Sequence, residues 1–225
     1  MNQKIKEKAV RLLLLVIGLI IAHLGVTMFL LTNLGADPFN VMIQGLSGKL
    51  PISHGITHMG ICFIIILILL ITDRSYIKIG TIVCMVLGGP IIDGFTFLLK
   101  NIINGDRPFV VRLLIVVLAC VILAFGMTIV ITSEAGTGPN DLVAVVISDK
   151  LKKSFGIVRI IVDVTFFLIG VLLGGVFGIG TLVCAFVVGT AAGIIMPFSK
   201  RIVDWGLNLL CPKKCDKMAE KSDET

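Results

Sequence analysis

The sequence predicts an all-α, polytopic membrane helix bundle, and three observations lead to that prediction. Hydrophobic residues make up 56% of the 225 residues, whereas charged residues make up only 15%. The apolar residues form runs of membrane-spanning length, and the second half of the chain repeats the first. Because a soluble domain usually carries about a quarter charged residues, this composition indicates a chain that faces lipid.

Six apolar runs meet or approach the length of about 20 residues that a helix needs to cross a bilayer core about 30 Å thick. We therefore expect about six full transmembrane helices, over residues 12–32, 56–72, 79–99, 112–132, 157–174 and 179–198. The basic start resembles that of a signal peptide, but no small-residue cleavage site follows the first run. We interpret that run as an uncleaved helix.

Two further segments begin at Pro38 and Pro139 and run to about Leu50 and Leu151. Each has about 13 residues, or about 20 Å as a helix. We predict two short Pro-led helices that are re-entrant or interfacial. Residues 201–225 are expected to form an amphipathic helix followed by a polar cytoplasmic tail.

A shift of about 100 residues aligns the second half of the chain with the first. Arg11, Gly35 and Pro38 then fall on Arg112, Gly136 and Pro139. Apolar composition alone does not hold one register through such residue types. We predict two membrane repeats, residues 1–105 and 106–200, followed by the tail.

The repeat leaves two topologies open. With three crossings in each repeat, the halves are inverted; with four, they are parallel. Either number places both termini on one side, and the basic residues at both ends predict that this side is the cytoplasm. Loop charges favour four crossings, whereas the short length of the Pro-led helices favours three.

Several function classes are not expected. The net charge of +6 is spread between the apolar runs and over both tails, so no nucleic-acid partner is predicted. Four of the six cysteines lie inside apolar runs, where Cys behaves as a small hydrophobe. Zinc-protease, nucleophile-elbow and nucleotide-binding motifs are absent from the sequence. We predict no enzyme, no metal and no cofactor.

Two matched Gly-Pro turns are the strongest candidates for a binding site. Glycine permits an unusual backbone turn, and proline suits the first turn of a helix. Broken helices in matching positions are the best sequence indication of a transporter's substrate site; the alternative is a pair of well-capped external turns. The candidate substrate-binding residues in these turns are Gly35, Asp37, Pro38, Asn40, Gly136, Pro139, Asn140 and Asp141.

Ionisable residues within the predicted spans are costly in lipid and are further candidates for substrate binding or coupling. Asp93 and His23 align with Gly193 and Ala124 in the second repeat, so both are specific to the first. His23 could relay protons or simply hydrogen-bond to a neighbouring helix. Asp163 follows Arg159 by four residues, which allows a substrate site or a mutually neutralising pair.

These features favour a small transporter or permease for a small polar or anionic molecule, held between the two turns. A substrate-binding membrane subunit of a multi-component transporter, and a non-transporting scaffold or regulator, remain alternatives. The expected partners are the lipid bilayer and a small-molecule substrate. A second copy of the chain or another membrane protein is left open.

Residues 35–40, 73–74, 79–81 and 89–93 together resemble the YczE/YyaS/YitT group of small bacterial membrane proteins. Residues 138–141 and 178–181 fit the same pattern, and the resemblance extends to about residue 200. The chain is more similar to the YczE-like members, which lack the soluble C-terminal domain of the YitT type. The resemblance implies a bacterial inner membrane and assigns no residue a role.

Overall fold

A computed structural model describes residues 3–153 and 155–210, and every regular element in these two ranges is a helix. A short 3-10 turn, Arg74–Tyr76, joins the third and fourth helices. The eight α-helices are α1 (Gln3–Leu31), α2 (Pro38–Ser47), α3 (His54–Asp73), α4 (Ile79–Leu99), α5 (Phe109–Thr132), α6 (Pro139–Leu151), α7 (Phe155–Leu172) and α8 (Ile179–Leu210). The predicted all-α membrane bundle is confirmed.

Within the described ranges, four helices are long and apolar enough to cross a membrane. They are Ile5–Leu31, His54–Tyr76, Ile79–Leu99 and Phe109–Thr132. The other two predicted spans fall in α7, which has 18 residues, and α8, which has 32. These two spans stay predictions.

The end of α8 differs from the prediction. Residues 201–210 are the last turns of α8 rather than a separate amphipathic helix, and Pro197 lies inside the continuous helix. Val203 is buried, and Gly206 lies against Leu14 of α1. This packing holds the chain helical beyond the proline, since a proline interrupts only its own hydrogen bond and the turn before it. Residues 211–225, the predicted polar tail, lie outside the described part.

The antiparallel pair of α1 and α5 forms the middle of the bundle. Gly18 lies against Gly126, and Gly25 lies against Ala119. The contact therefore moves seven residues backwards along α5 when it moves seven residues forwards along α1, so the two helices are antiparallel. Small residues at these crossings let the two backbones approach closely, which is how helices commonly associate in lipid.

Two arginines join the ends of this pair. Arg11 near the start of α1 donates to the carbonyl oxygen of Ser133 at 3.2 Å and to Glu134 at 2.9 Å. Arg112 near the start of α5 donates to the carbonyl oxygen of Thr32 at 2.7 Å. Each arginine thus satisfies a carbonyl at the end of the opposite helix, where no intrahelical donor is left. The start of α1 and the end of α5 therefore lie at the same face of the bundle, which we call the α1-start face.

The turns after α1 and α5 pack on the starts of α8 and α4. The amide of Gly180 donates to the carbonyl oxygen of Leu34 at 2.9 Å, and the amide of Gly80 donates to that of Ala135 at 3.1 Å. Consequently α4 begins at the α1-start face, and α8 begins at the opposite face, which we call the α1-end face.

The two short helices begin inside the bundle. Ala36, just before α2, belongs to the same buried hydrophobic cluster as Cys120, which lies about 12 Å along α5 from Arg112. Leu142, in the first turn of α6, belongs to the same buried hydrophobic cluster as Cys62, which lies about 16 Å along α3 from Asp73. The turns before α2 and α6 are therefore inside the bundle and are not external turns.

The short helices then run to opposite faces of the bundle, α2 to the α1-end face and α6 to the α1-start face. Gly45 near the end of α2 lies against Gly170 and Gly175 at the end of α7. Lys150 near the end of α6 donates to the carbonyl oxygen of Thr72, at the end of α3, at 3.3 Å. Of the two predicted placements, this geometry fits re-entrant helices rather than interfacial ones.

Candidate functional site

The backbone of both turns requires glycine. Gly35 has φ of +119° and Gly136 has φ of +154°, which L side chains rarely adopt. A Cβ at Gly35 would collide with the Thr181 hydroxyl, and one at Gly136 would lie 2.6 Å from the Thr81 amide nitrogen. Each glycine therefore permits both the turn and its close packing on the next helix start.

Asp37 caps the re-entrant helix α2. Its carboxylate accepts from the Asn40 amide at 3.3 Å and from Asn40 Nδ2 at 2.6 Å, and Pro38 occupies the first turn. A carboxylate at a helix start neutralises the positive end of the helix dipole. The start of α2 thus already holds a negative group from its own chain.

The start of α6 is built differently. Gly138 precedes Pro139 and provides no side-chain cap, whereas Asp141 lies in the first turn. Asn140 Nδ2 donates to Asp141 Oδ1 at 3.1 Å. The second turn therefore also carries a carboxylate and an amide, but Asp141 lies two residues after its proline, whereas Asp37 lies one residue before Pro38.

His54 connects α2 to α3 and was not among the predicted site residues. Its Nε2 lies 3.0 Å from Asn40 Oδ1. Because Asn40 Nδ2 donates to Asp37, Asn40 Oδ1 is the acceptor in this contact, and His54 Nε2 carries the proton. Asp37, Asn40 and His54 form one hydrogen-bonded chain.

Asp93 holds the start of α3 against α4. Its Oδ1 accepts from the Gly55 amide at 2.9 Å, and its Oδ2 accepts from the Ser53 hydroxyl at 2.5 Å. Beside it, the backbones of Gly55 and Gly89 are in direct contact. The Asp93 carboxylate of α4 therefore helps to cap α3, since it accepts from the N-cap residue Ser53 and from Gly55 in the first turn.

His23 and His58 meet at the centre of the first half of the chain. Their ring centroids are 5.7 Å apart, and the Phe39 ring lies 5.5 Å from that of His58. His23 Nδ1 lies 2.9 Å from the Leu19 carbonyl oxygen, so this nitrogen carries the proton and Nε2 is left as an acceptor. Gly88 of α4 packs directly against both imidazole rings.

The structure thus gathers part of the predicted set. Asp37, Asn40, His23 and Asp93 lie together with the unpredicted His54, His58 and Ser53 on α1 to α4; we call these seven residues the central polar cluster. The i, i+4 spacing of His54 and His58 was the sequence signal that could have indicated them.

The remaining predicted residues belong to the second half. Gly136, Pro139, Asn140 and Asp141 surround the start of α6. Asp163 is half-buried on α7. Arg159 is helical, but its side chain lies outside the described part of the structure, so the predicted Arg159–Asp163 pair stays a prediction.

Together, the fold and the cluster define a polytopic helical membrane protein with two short helices that start inside the bundle. The chain belongs to the family of unknown function DUF6198, whose model matches residues 9–197. The resemblance to the YczE/YyaS group is thereby confirmed.

Three relatives cover most of the chain. The uncharacterized protein YyaS of Bacillus subtilis is 26% identical over 82% of this chain and 92% of its own length. An uncharacterized protein of Haemophilus influenzae is 25% identical over 84% and 83%, respectively. The uncharacterized membrane protein YczE of Bacillus subtilis is 25% identical over 84% and 87%. No solved structure matches the chain.

Proposed function

We propose that the protein is a small secondary transporter or permease that moves a small polar solute past the central polar cluster. The observation that carries this proposal is the pair of short helices that begin inside the bundle with polar first turns. Discontinuous helices of this kind form the substrate sites of many transporters, since irregular backbone at membrane depth is tolerated only inside protein or beside a cavity.

An inverted internal repeat is part of the proposal. Arg11 of α1 binds the end of α5, and Arg112 of α5 binds the end of α1. In the same way, Gly80 of α4 binds the turn after α5, and Gly180 of α8 binds the turn after α1. The antiparallel α1 and α5, which are matching helices of the two repeats, favour three crossings in each repeat rather than four. Inverted repeats supply two related states that expose a central site to one face or the other.

We further propose that the α1-start face is the cytoplasmic face of a bacterial inner membrane. Cytoplasmic loops carry an excess of Lys and Arg. The basic residues at the α1-start face are Lys6, Lys8, Arg11, Arg74, Lys78, Lys150, Lys152, Lys153, Lys200 and Arg201, whereas those at the α1-end face are Lys49, Lys100, Arg107 and Arg112. In spheroplasts, a membrane-impermeant maleimide is expected to label Lys100→Cys but not Lys152→Cys; the reverse pattern would invert the proposed orientation.

Transport is tested by reconstitution. The purified protein in proteoliposomes is expected to give a saturable flux with at least one member of a panel of small solutes. Asn40→Ala and Asp141→Ala, which alter the first turns of α2 and α6, should lower that flux at least tenfold, on the order of one lost charge-assisted hydrogen bond.

Ser75→Ala, in the exposed turn after α3, is the matched control and should retain the flux. If both site variants transport as well as the wild type, the proposed site is wrong. A flux that requires a co-purified ATPase would favour the multi-component alternative.

A further inference from the structure

Two threonines occupy matching positions at the starts of α4 and α8. A shift of 100 residues places Thr81 on Thr181, directly after the glycines whose amides bind the turns before α6 and α2. The Cβ position of Gly136 lies against Thr81, and that of Gly35 lies against Thr181. Both threonines are buried. Each of the two turns therefore packs on a buried threonine through the same backbone contact.

The Thr181 hydroxyl holds its turn in place. Its Oγ1 accepts from the Ala36 amide at 3.2 Å and from the Gly178 amide at 3.4 Å. Ala36 is only 1% exposed, so its amide depends on this acceptor rather than on water. One side chain thus ties the turn before α2 to the start of α8.

The Thr81 hydroxyl makes no such bond. Within residues 3–153 and 155–210, its buried Oγ1 has no hydrogen-bond partner. The amide of Thr137, which matches that of Ala36, has no partner in these ranges either. A buried hydroxyl without a partner costs free energy. A partner that is missing in this state is therefore expected in another state of the chain.

We infer that Thr81 and Thr181 are alternating latches on the turns before α6 and α2. In this structure the Thr181 latch is closed and the Thr81 latch is open. In the second state Thr81 accepts from the Thr137 amide, and Thr181 releases the Ala36 amide. The inference deepens the proposed transport function, on which the second state rests, because inverted repeats reach two related states when their halves exchange conformations.

The two latches lie towards opposite faces of the bundle. α8 begins at the α1-end face, where the Thr181 latch is closed, whereas α4 begins at the α1-start face, where the Thr81 latch is open. The turn at the open latch is also the less buried one, since Thr137 is half-buried and Ala36 is buried. This state is therefore latched against the α1-end face and released at the α1-start face.

Matched valine substitutions test the difference between the two hydroxyls, because valine keeps the β-branched shape and removes only the hydroxyl. Thr81→Val removes a buried group without a partner and is expected to raise the thermal unfolding midpoint by about 2 to 4 °C. Thr181→Val leaves the Ala36 amide without its acceptor and should lower the midpoint by a similar amount. Thr181→Ser, which keeps the hydroxyl, should stay close to the wild type.

Maleimide labelling of the purified protein tests whether the latches control access. The background is the full chain with Cys211→Ser and Cys215→Ser, and its four buried cysteines give the blank rate. The reporters are Ala36→Cys and Thr137→Cys, which change side chains but keep the backbone amides. We expect Thr137→Cys to react faster than Ala36→Cys.

The valine variants should change these rates in one direction only. Thr181→Val is expected to speed the labelling of Ala36→Cys about fivefold, the change in population that one lost hydrogen bond allows. Thr81→Val should not speed it. If Thr181→Val does not fold, the midpoint of Thr81→Val still tests the open latch.

Two results would overturn the inference. A Thr81→Val midpoint at or below that of the wild type would mean that the hydroxyl has a partner in this state. An Ala36→Cys labelling rate that Thr181→Val leaves unchanged would mean that Thr181 does not hold the turn closed.

Flux in proteoliposomes separates this inference from the transport proposal. Both valine variants should lower a wild-type flux, because each removes the latch of one state. The expected midpoints and labelling rates without any wild-type flux would support the latches and contradict transport. A wild-type flux that neither variant changes would leave transport standing and overturn the latches.

Discussion

Replacing Gly126 with alanine is expected to destabilise the protein by about 3 kcal/mol, the upper part of the range for overpacked cores. The added Cβ would collide with the backbone nitrogen of Ala22 and lie 2.6 Å from its Cα and from the Gly18 carbonyl oxygen. No side-chain rotation relieves a clash with backbone, so α1 and α5 must separate. Because this pair forms the middle of the bundle, the stability of the whole molecule should decrease.

The measurement is the thermal unfolding midpoint of purified protein in detergent, followed by size-exclusion chromatography after heating. Gly94→Ala is the matched control, because a Cβ at Gly94, inside α4, meets no atom within 4 Å. That change should be neutral or stabilising by up to about 1 kcal/mol, the helix-propensity difference between Gly and Ala. Equal midpoints for the two variants would contradict the close packing of α1 on α5.

Asp93→Ala is expected to cost about 2 to 3 kcal/mol, because it removes two charge-assisted hydrogen bonds at once at the start of α3. The Gly55 amide and the Ser53 hydroxyl both lose their acceptor. Ser53→Ala removes the hydroxyl donor to Asp93 and the N-cap bond that Ser53 accepts from the Ile56 amide. It leaves the charged contact of Asp93 with Gly55, so its effect should be smaller, about 1 to 2 kcal/mol. The effects of both substitutions are measured as shifts of the thermal unfolding midpoint.

Asp204→Ala on the exposed part of α8 is the control for loss of a carboxylate and should change stability by less than about 0.5 kcal/mol. The ranking Asp93→Ala, Ser53→Ala, Asp204→Ala is the predicted result. If Asp93→Ala lowers the unfolding midpoint no more than Asp204→Ala does, Asp93 does not hold α3 in place. Its main role would then be contact with a ligand.

Local features were predictable from the sequence because their causes are local. Gly35 and Gly136 were expected at unusual turns, and both have positive φ. Asp37 caps α2 for a similarly local reason, because a carboxylate one residue before a helix-starting proline can reach the free amides. The end of α8 was missed, since Pro197 alone favours a stop, whereas the packing beyond it is tertiary, as in the contact of Gly206 with Leu14 of α1 and the hydrogen bond of Ser199 to Thr128 of α5.

The central polar cluster was predicted only in part. Asp93 and His23 stood out as ionisable residues in apolar runs, but a sequence does not show which partner each would meet. Asp93 binds Ser53, 40 residues away, and the contact of His54 with Asn40 depends on a turn between α2 and α3. His54 and His58 were therefore not assigned to the site.

The sequence by itself determined that this chain is a helical membrane protein and where most of its helices begin and end. Lipid requires each backbone polar group to be satisfied within its own helix, so that information is local. Only the tertiary structure decided that α1 and α5 run antiparallel, that α2 and α6 start inside the bundle, and that His23 meets His58. These depend on directional contacts between residues far apart in the chain, which apolar patterning does not encode.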